Sequence, residues 1–517
     1  MIFDMKIVNK IIATLSLCSL VALSGCNKFL DTMPDMRAEL DEEQKVTQIL
    51  VAAYPTLFPL GILEHRTDNV DDNGDAYPLP DIFIQENYHW KGNTEPDWDT
   101  TQRLWQMCYL AISNANQALE AIEELGGATT PRLKAAKAEA LMCRAYSHFI
   151  LVNVFSQAYN GQTSDSDLGI PYSTEPETEI GVKHERPSVK ENYEQIEKDI
   201  LEALPEISED FYSVPMYHFN KRAALAFATQ FYLYYEKWDK AEKYATEVLG
   251  TNIAPTLRNI SEYAKKYTNT KEWTYGYHSA KEPANLMIVA TRSRWGRRYT
   301  DRRYAHTGQI ASKQTLRSPG PWGSQLMDYD VLYYRGNPSH MVWLPKYQEI
   351  FEYTDAVAGI GQPHVVVFPF TTDKILLLRA EARVMLEKYD DAASDLSMWY
   401  QSKGGNGATT SDIKSYYKGL MEDPEEVSPV TKPLHPKFEL KEGDQTYMMQ
   451  AVLHAKRILS VHSGERWDDI KRYGIEITHN LFQENPITLK SDDPRKALPI
   501  PAPVVAAGLT PNPSNNL

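Results

Sequence analysis

The sequence predicts a mostly α-helical protein, a solenoid of helix-turn-helix hairpins carrying one large, irregular, loop-rich insertion. Three observations point there. Apolar residues recur at helical spacing along most of the chain on either side of residues 251–371. One stretch, YLYYEKWDKAEKYATEVL at 232–249, returns as RVMLEKYDDAASDLSMWY at 383–400. Between the copies, over 251–371, helical periodicity fades while glycine, proline and aromatic residues accumulate.

The N-terminal stretch reads as an export signal. Lys6 and Lys10 precede an apolar run from Ile11 to Leu23, which closes on Ser24 and Gly25. That run is too short for a helix that crosses a bilayer. Leu23-Ser24-Gly25-Cys26 matches a bacterial lipobox, so Cys26 is the expected lipid attachment site, its sulfur being the nucleophile that accepts acyl-bearing glycerol. Met5-Lys6 reads as a more natural start than Met1. Several acyl chains, palmitate among them, would make a durable anchor. With Cys18 in the signal and Cys26 acylated, Cys108 and Cys143 remain. Both fall in helical patterns and read as two buried thiols rather than a bridge.

The helical elements follow in order. Residues 38–58 open acidic and place Val46, Ile49, Leu50 and Ala53 on one face. Residues 97–125 and 131–156 form a hairpin, with Gly126 and Gly127 ending one helix and Pro131 starting the next. Ser188 and Glu191 form a capping box for 188–204, which stops before Pro205. Asn220 starts another helix. In the repeat, Glu236-Lys237-Trp238-Asp239-Lys240-Ala241 aligns with Glu387-Lys388-Tyr389-Asp390-Asp391-Ala392. An aromatic at the turn and an alanine where two helices approach resemble the tetratricopeptide hairpin.

Charge and composition narrow the partners. A net charge of −15 argues against nucleic acid or an anionic lipid surface as the main partner. There is no His-Glu-x-x-His, Gly-x-Ser-x-Gly, P-loop or zinc-spaced cysteine pair. Glu465, Asp468 and Asp469 in GERWDDIKR read as structural ion-pair residues, although a paired-carboxylate glycosidase is not excluded by counting.

Several blocks together resemble the SusD/RagB family of outer-membrane nutrient-binding lipoproteins. Cys26-Asn-Lys-Phe-Leu-Asp-Thr-Met-Pro34 is similar to the family's mature start, and AEALMCRAYSHFILVNVFSQAY with LGIPYST to its central segment. RPSVKENYEQIEKDILEALP, NKRAALAFATQFYLYYEKWDKA, DKILLLRAEARVMLEKYDDA, GERWDDIKRYG and LPIPAPVVAAGLTPNP follow in family order. Cys143 within the central helix departs from the pattern, and 251–371 matches no block. The resemblance implies a SusD-like tetratricopeptide scaffold, lipid-anchored in the outer membrane and facing the exterior. It further implies a role that is not enzymatic: capturing an oligosaccharide, or an oligopeptide, for a TonB-dependent outer-membrane transporter (SusC-like). A lipid-anchored adaptor that binds only protein is the alternative from another class. The expected organisation is a signal over 1–25, a helical region over 26–250, the ligand-binding insertion over 251–371 and a helical region over 372–517.

Ligand residues are expected where rings and polar groups mix. Residues 271–353 hold fourteen aromatics, including Trp273, Trp295, Tyr299, Trp322, Tyr329 and Trp343. Sugar rings stack their C–H faces on such rings. Trp295, Tyr299, Trp322 and Tyr329 are the candidates there, with Trp90 and Asn93 from the loop over 68–98. Arg294 belongs to a strip, TRSRWGRRYTDRRY at 291–304, with six arginines that could pair with an acidic ligand or with the protein's own acids. Asn69, Asp71 and Asn73 precede Gly74 as in a calcium loop, but the twelfth position is Pro80. They are calcium candidates, with a turn rich in Asx residues the plainer reading. No other cofactor is expected.

Overall fold

Capping side chains set the helix starts. The structure, a computed structural model, describes residues 40, 42–75, 77, 81–177, 182–327, 334–335, 341–423 and 428–513. The export signal, Cys26 and Tyr329 lie outside these residues. Thr100 accepts from the Arg103 N–H and opens α1 (Thr101–Glu124). Thr130 caps α2 (Pro131–Phe155), where proline's missing N–H costs nothing at the first position. Gly126 and Gly127 make the turn between them at φ 93° and 88°, conformations that a side chain would strain. Ser188 and Glu191 close the capping box in both directions ahead of α3 (Val189–Ala203). Asn220 caps α4 (Lys221–Tyr234). The helix expected from residue 38 is shorter, Glu43–Ile49 with a 3-10 turn to Ala53, and it ends where Tyr54 turns extended before Pro55.

The internal repeat is present in the backbone. Helices α4 and α5 (Trp238–Leu249) form one copy, and α6 (Thr372–Met385) with α7 (Tyr389–Ser402) the other. Glu236 and Glu387 each adopt φ 59°, ending the first helix of each copy in the same left-handed step. Ala241 and Ala392 are fully buried where each hairpin closes. Helix α5 packs on α6, so the copies stack although the insertion separates them in sequence. Helix α8 (Thr410–Glu422) and α6 both pack on α9 (Asp444–Leu459), while α1, α2 and α3 pack in succession on the N-terminal side.

Helix α2 is buried on nearly every side, as expected of a helix without a polar face. Its Tyr146 and Phe149 meet Phe219, Phe227 and Phe231 in an edge-to-face cluster. Buried charges are paired. Arg144 holds Asp199 through Nε at 2.8 Å and a terminal nitrogen at 2.7 Å. Glu381 on α6 accepts from Lys456, Arg472 and Tyr473 at 2.6–2.8 Å. Cys108 and Cys143 are buried free thiols whose ionisation burial suppresses, in line with the sequence. Among the described residues no helix is long and apolar enough to cross a membrane.

The insertion is more regular than the sequence suggests. Strands β1 (Asn285–Arg292), β2 (Ile350–Asp355) and β3 (Ile360–Thr371) form an antiparallel sheet in the order β1-β3-β2. The run NLMIV that opens β1 is buried on both faces and so lacks the alternation that marks a half-exposed strand. Strand β3 runs straight into α6, whose cap is Thr371. Glu42–Leu517 forms one compact unit; a second, Met1–Asp41, lies outside the described residues except at Leu40.

Burial sets the acid response. It holds His148 and His454 down to about 3, and His65, His278, His306 and His479 to about 4, against an ordinary 6.5. The unfolded chain therefore takes these protons first. Their contribution is complete above about 6.5 and is lost as pH falls toward their folded values. Each costs about 2 kcal/mol at pH 5 relative to neutral pH. Glu64, pushed up to about 7 by burial, and Asp468, pushed up to about 6, work in the opposite sense but are outnumbered. Urea unfolding midpoints should hold above pH 7 and drop steeply between pH 6.5 and 4.5.

Candidate functional site

The rings singled out from sequence are mostly structural. Trp295 is 1% exposed; its indole N–H donates to the His462 carbonyl at 2.9 Å and its ring meets His65 edge-on. Gly61 makes room for it, since a Cβ there would stand 2.7 Å from the indole. Trp322, also 1% exposed, donates to the Ser318 carbonyl and packs on Tyr400 and His454. Tyr299 is buried against Trp295 and His462. Trp90 is buried, stacks on His479 at 4.4 Å and donates to the Arg66 carbonyl. The expectation that these four side chains face a ligand is corrected: a buried ring has no face to offer a sugar. Trp273 and Trp343 are buried as well.

Asn93 has a positioning role. Its Oδ1 accepts from the Thr101 N–H at 3.1 Å, tying the preceding loop to the first turn of α1. The calcium candidates are similarly engaged. Asn69 Oδ1 accepts from Arg457 at 2.9 Å, Asp71 from Asn480, and Asn73 donates to the Arg302 carbonyl. Neighbouring Asp72 pairs with Arg303 at 3.1 Å. Donors already occupy the oxygens of Asn69 and Asp71 that a cation would need, and the plainer Asx-turn reading fits this geometry. Among the described residues no three His, Cys, Asp or Glu side chains gather as a metal would require.

The arginine strip divides by partner. Arg298 is buried and donates to Asp81 at 2.9 Å, to Asp99 at 2.7 Å and to Asp97, with its guanidinium 4.3 Å from the centre of the Phe83 ring. Burial raises the Asp99 carboxyl above the usual range even beside this guanidinium. Arg297 pairs with Glu349 and Arg303 with Asp72. Arg292 and Arg302 are exposed. Arg294 differs: its backbone N–H is fixed by Asp99 at 3.0 Å, while its guanidinium reaches Asp97 only at 3.4 Å and stays 42% exposed.

These contacts build an open groove of about 430 Å³ where the 81–99 loop meets the insertion. Arg298 pins Asp97 and Asp99, which fixes Trp98 between them; Trp98 is half-buried and lines the groove with Pro96. The cap at Thr100 starts α1 so that Gln102, Arg103 and Gln106 of its first two turns face the same space, opposite Arg294 from the insertion. An indole beside two amides, a hydroxyl and two guanidiniums can stack an apolar ring face and bond the polar groups around its rim. A larger cavity, about 460 Å³, lies between residues 157–168 and the C-terminal stretch. Its Lys471 and Lys496 are directed at backbone carbonyls and brace the chain.

Of the sequence candidates, the groove includes Arg294 alone, and it adds Trp98, Gln102, Arg103 and Gln106. A signal for Trp98 was present: apart from Pro96, its neighbours within residues 91–99, KGNTEPDWD, are polar, charged or glycine. A tryptophan there has little of its own to pack against.

The chain resembles known proteins in sequence and in fold. Residues 28–233 match a SusD-like family model described as starch-binding, associating with outer membrane. A SusD-like protein P38 of Formosa agariphila is 26% identical over 301 residues, covering 55% of this chain and 54% of that one. The chain therefore matches about half the length of this curated relative. A SusD superfamily crystal structure from Bacteroides vulgatus aligns with a TM-score of 0.61 at 18% identity, over 92% of this chain and 99% of that one. A structure titled putative sugar binding protein from the same species gives 0.60 at 17%, over 93% and 100%. One from Bacteroides thetaiotaomicron gives 0.58 at 18%, over 92% and 100%. At these identities the structures establish the fold.

Replacing Trp295 or Trp322 by alanine should cost about 3–5 kcal/mol of stability, the range for large-to-small changes in a packed core. Chemical denaturation would show it as a large midpoint shift in the absence of any ligand. An unshifted midpoint would return these rings to the ligand side.

Proposed function

We propose that this chain, which belongs to the SusD-like family, is a surface-binding protein that captures an oligosaccharide at the Trp98 groove and passes it to an outer-membrane transporter. The single observation that carries this reading is Trp98 itself, a half-buried indole lining a groove whose walls also present amides, a hydroxyl, guanidiniums and the Asp97 carboxylate. Most other tryptophans in the described structure are buried in the core. A sugar presents an apolar ring face and equatorial hydroxyls, and this set of side chains complements both.

The family description supports a carbohydrate ligand and an outer-membrane setting. The lipobox at Leu23–Cys26 supports anchoring through an acylated Cys26, with the body on the exterior. The partner on this reading is a TonB-dependent barrel, over which the helical stack forms a rigid lid. The protein's own part is to bind and orient, with no bond made or broken. Rigid walls suit that task, since a preformed groove loses little entropy on binding.

Calorimetry on the full chain in detergent micelles, against neutral and charged oligosaccharides and against oligopeptides, tests the proposal. Saturable saccharide binding is expected. Trp98→Ala should weaken it about tenfold or more, roughly 1.4 kcal/mol, with the urea midpoint unchanged because the ring contributes little to the core. Binding to peptides alone would replace the sugar reading, and saccharide binding indifferent to Trp98→Ala would move the site elsewhere.

A further inference from the structure

We infer that the groove is built for an anionic saccharide, one bearing a carboxylate or a sulfate ester, which Arg103 and Arg294 grip while Trp98 stacks its ring. This inference rests on the saccharide reading of the groove and adds the substrate's chemical class.

The arginines of the strip and of α1 differ in how tightly they are held. Arg298 is enclosed by three carboxylates, Arg297 donates through Nε to Glu349 at 2.6 Å, and Arg303 pairs with Asp72 at 3.1 Å. These are structural forks, already answered by the protein. The two guanidiniums that line the groove are held far more loosely. Arg294 meets Asp97 at 3.4 Å, and Arg103 meets the Gln106 side-chain oxygen at 3.4 Å. Both separations lie beyond the 2.7–2.9 Å of a charge-assisted hydrogen bond. Each guanidinium keeps several N–H donors in a planar fork, the geometry that pairs with carboxylate or sulfate oxygens.

Placement gives these forks a purpose. One comes from the first turn of α1 and the other from the insertion, so they face the same concave space from two independent segments, with Trp98 beside them. Arginines that merely solubilise a surface have no reason to converge on an indole. Asp97, which also lines the groove, would repel an anion on its own. Its carboxylate is answered by Arg298 and by the backbone N–H of Trp98, so it serves to hold the chain at that residue. The chain as a whole carries −15, so a general attraction for anions is absent and recognition is confined to the groove.

The test separates this inference from the one beneath it. The full chain in detergent micelles would be screened on an array of uronate-bearing, sulfated and neutral oligosaccharides, with hits measured by calorimetry. Acidic members should bind at least tenfold more tightly than their neutral counterparts. The uronate and sulfate arms identify which anion is preferred. Arg103→Gln and Arg294→Gln should each lose several-fold for the acidic ligand, and the double variant should bind acidic and neutral forms alike, with the unfolding midpoint unchanged. Equal binding of acidic and neutral forms by the parent chain would overturn the anionic class and leave sugar capture standing. An acidic preference that survives the double substitution would overturn the assignment to these two residues. Silence across the whole array would sink both readings together.

Discussion

The groove exists because one buried cation, Arg298, holds Asp81, Asp97 and Asp99 at once. Without it three carboxylates would crowd one half-buried pocket and repel, and the 81–99 segment would lose a threefold ionic tie to the insertion. Such a cluster is stable only when every charge has hydrogen-bonded partners, because desolvation penalises each ion before pairing returns the energy. Here the partners are complete. Asp99 also accepts from the Arg294 backbone, Asp97 from the Trp98 backbone, and Asp81 from the Ile84 N–H as a helix cap. The clasp therefore sets both walls of the groove and holds the backbone at Trp98 between them.

The same rule organises the scaffold beneath. Glu381 on α6 draws in Lys456 from α9 and, from the stretch after it, Arg472 and Tyr473. The surrounding cations hold its carboxyl down to about 2. Arg379 and Arg383 reach Asp395 within the second repeat copy, and Arg383 crosses to Glu242 in the first. Stacked hairpins joined by such pairs cannot slide past one another without stranding charges. The consequence is a stiff platform. A groove on its edge keeps its shape, which suits a protein that must bind a ligand and release it unchanged.

Local signals in the sequence were reliable guides, and long-range ones were not. The capping box at Ser188, the proline at the start of α2 and the Glu-Lys-aromatic turn of the repeat all depend on neighbours within a few residues, and each sits where its chemistry placed it. The insertion's sheet is hard to see in sequence because the first five residues of β1 are buried on both faces and its partner residues lie 72–86 positions further on. The aromatic residues failed for a related reason. Composition counts rings but does not say which way they point. Trp295 faces inward because Gly61, more than two hundred positions away, leaves it a slot. Trp98 faces outward because its own surroundings are polar. What separated them was the presence of an apolar partner, and for Trp98 the scarcity of such partners was already visible locally.

Six arginines in fourteen residues looked like one feature and are several. Arg298 and Arg303 neutralise acids from the 72–99 segment and so bind the insertion to the body, while Arg297 pairs with Glu349 within the insertion itself. Arg294 stands next to this framework, its backbone fixed by the same Asp99 that Arg298 holds, its side chain left over the groove. In an acidic protein this arrangement has a physical advantage. A freely exposed basic strip would attract the chain's own carboxylates and those of its neighbours. With most of the strip satisfied internally, the charge offered outward shrinks to a small, oriented set beside an aromatic ring. Selectivity then comes from geometry at contact distance, where a fork and a ring must be matched together, and the surrounding negative field discourages anions that cannot satisfy both.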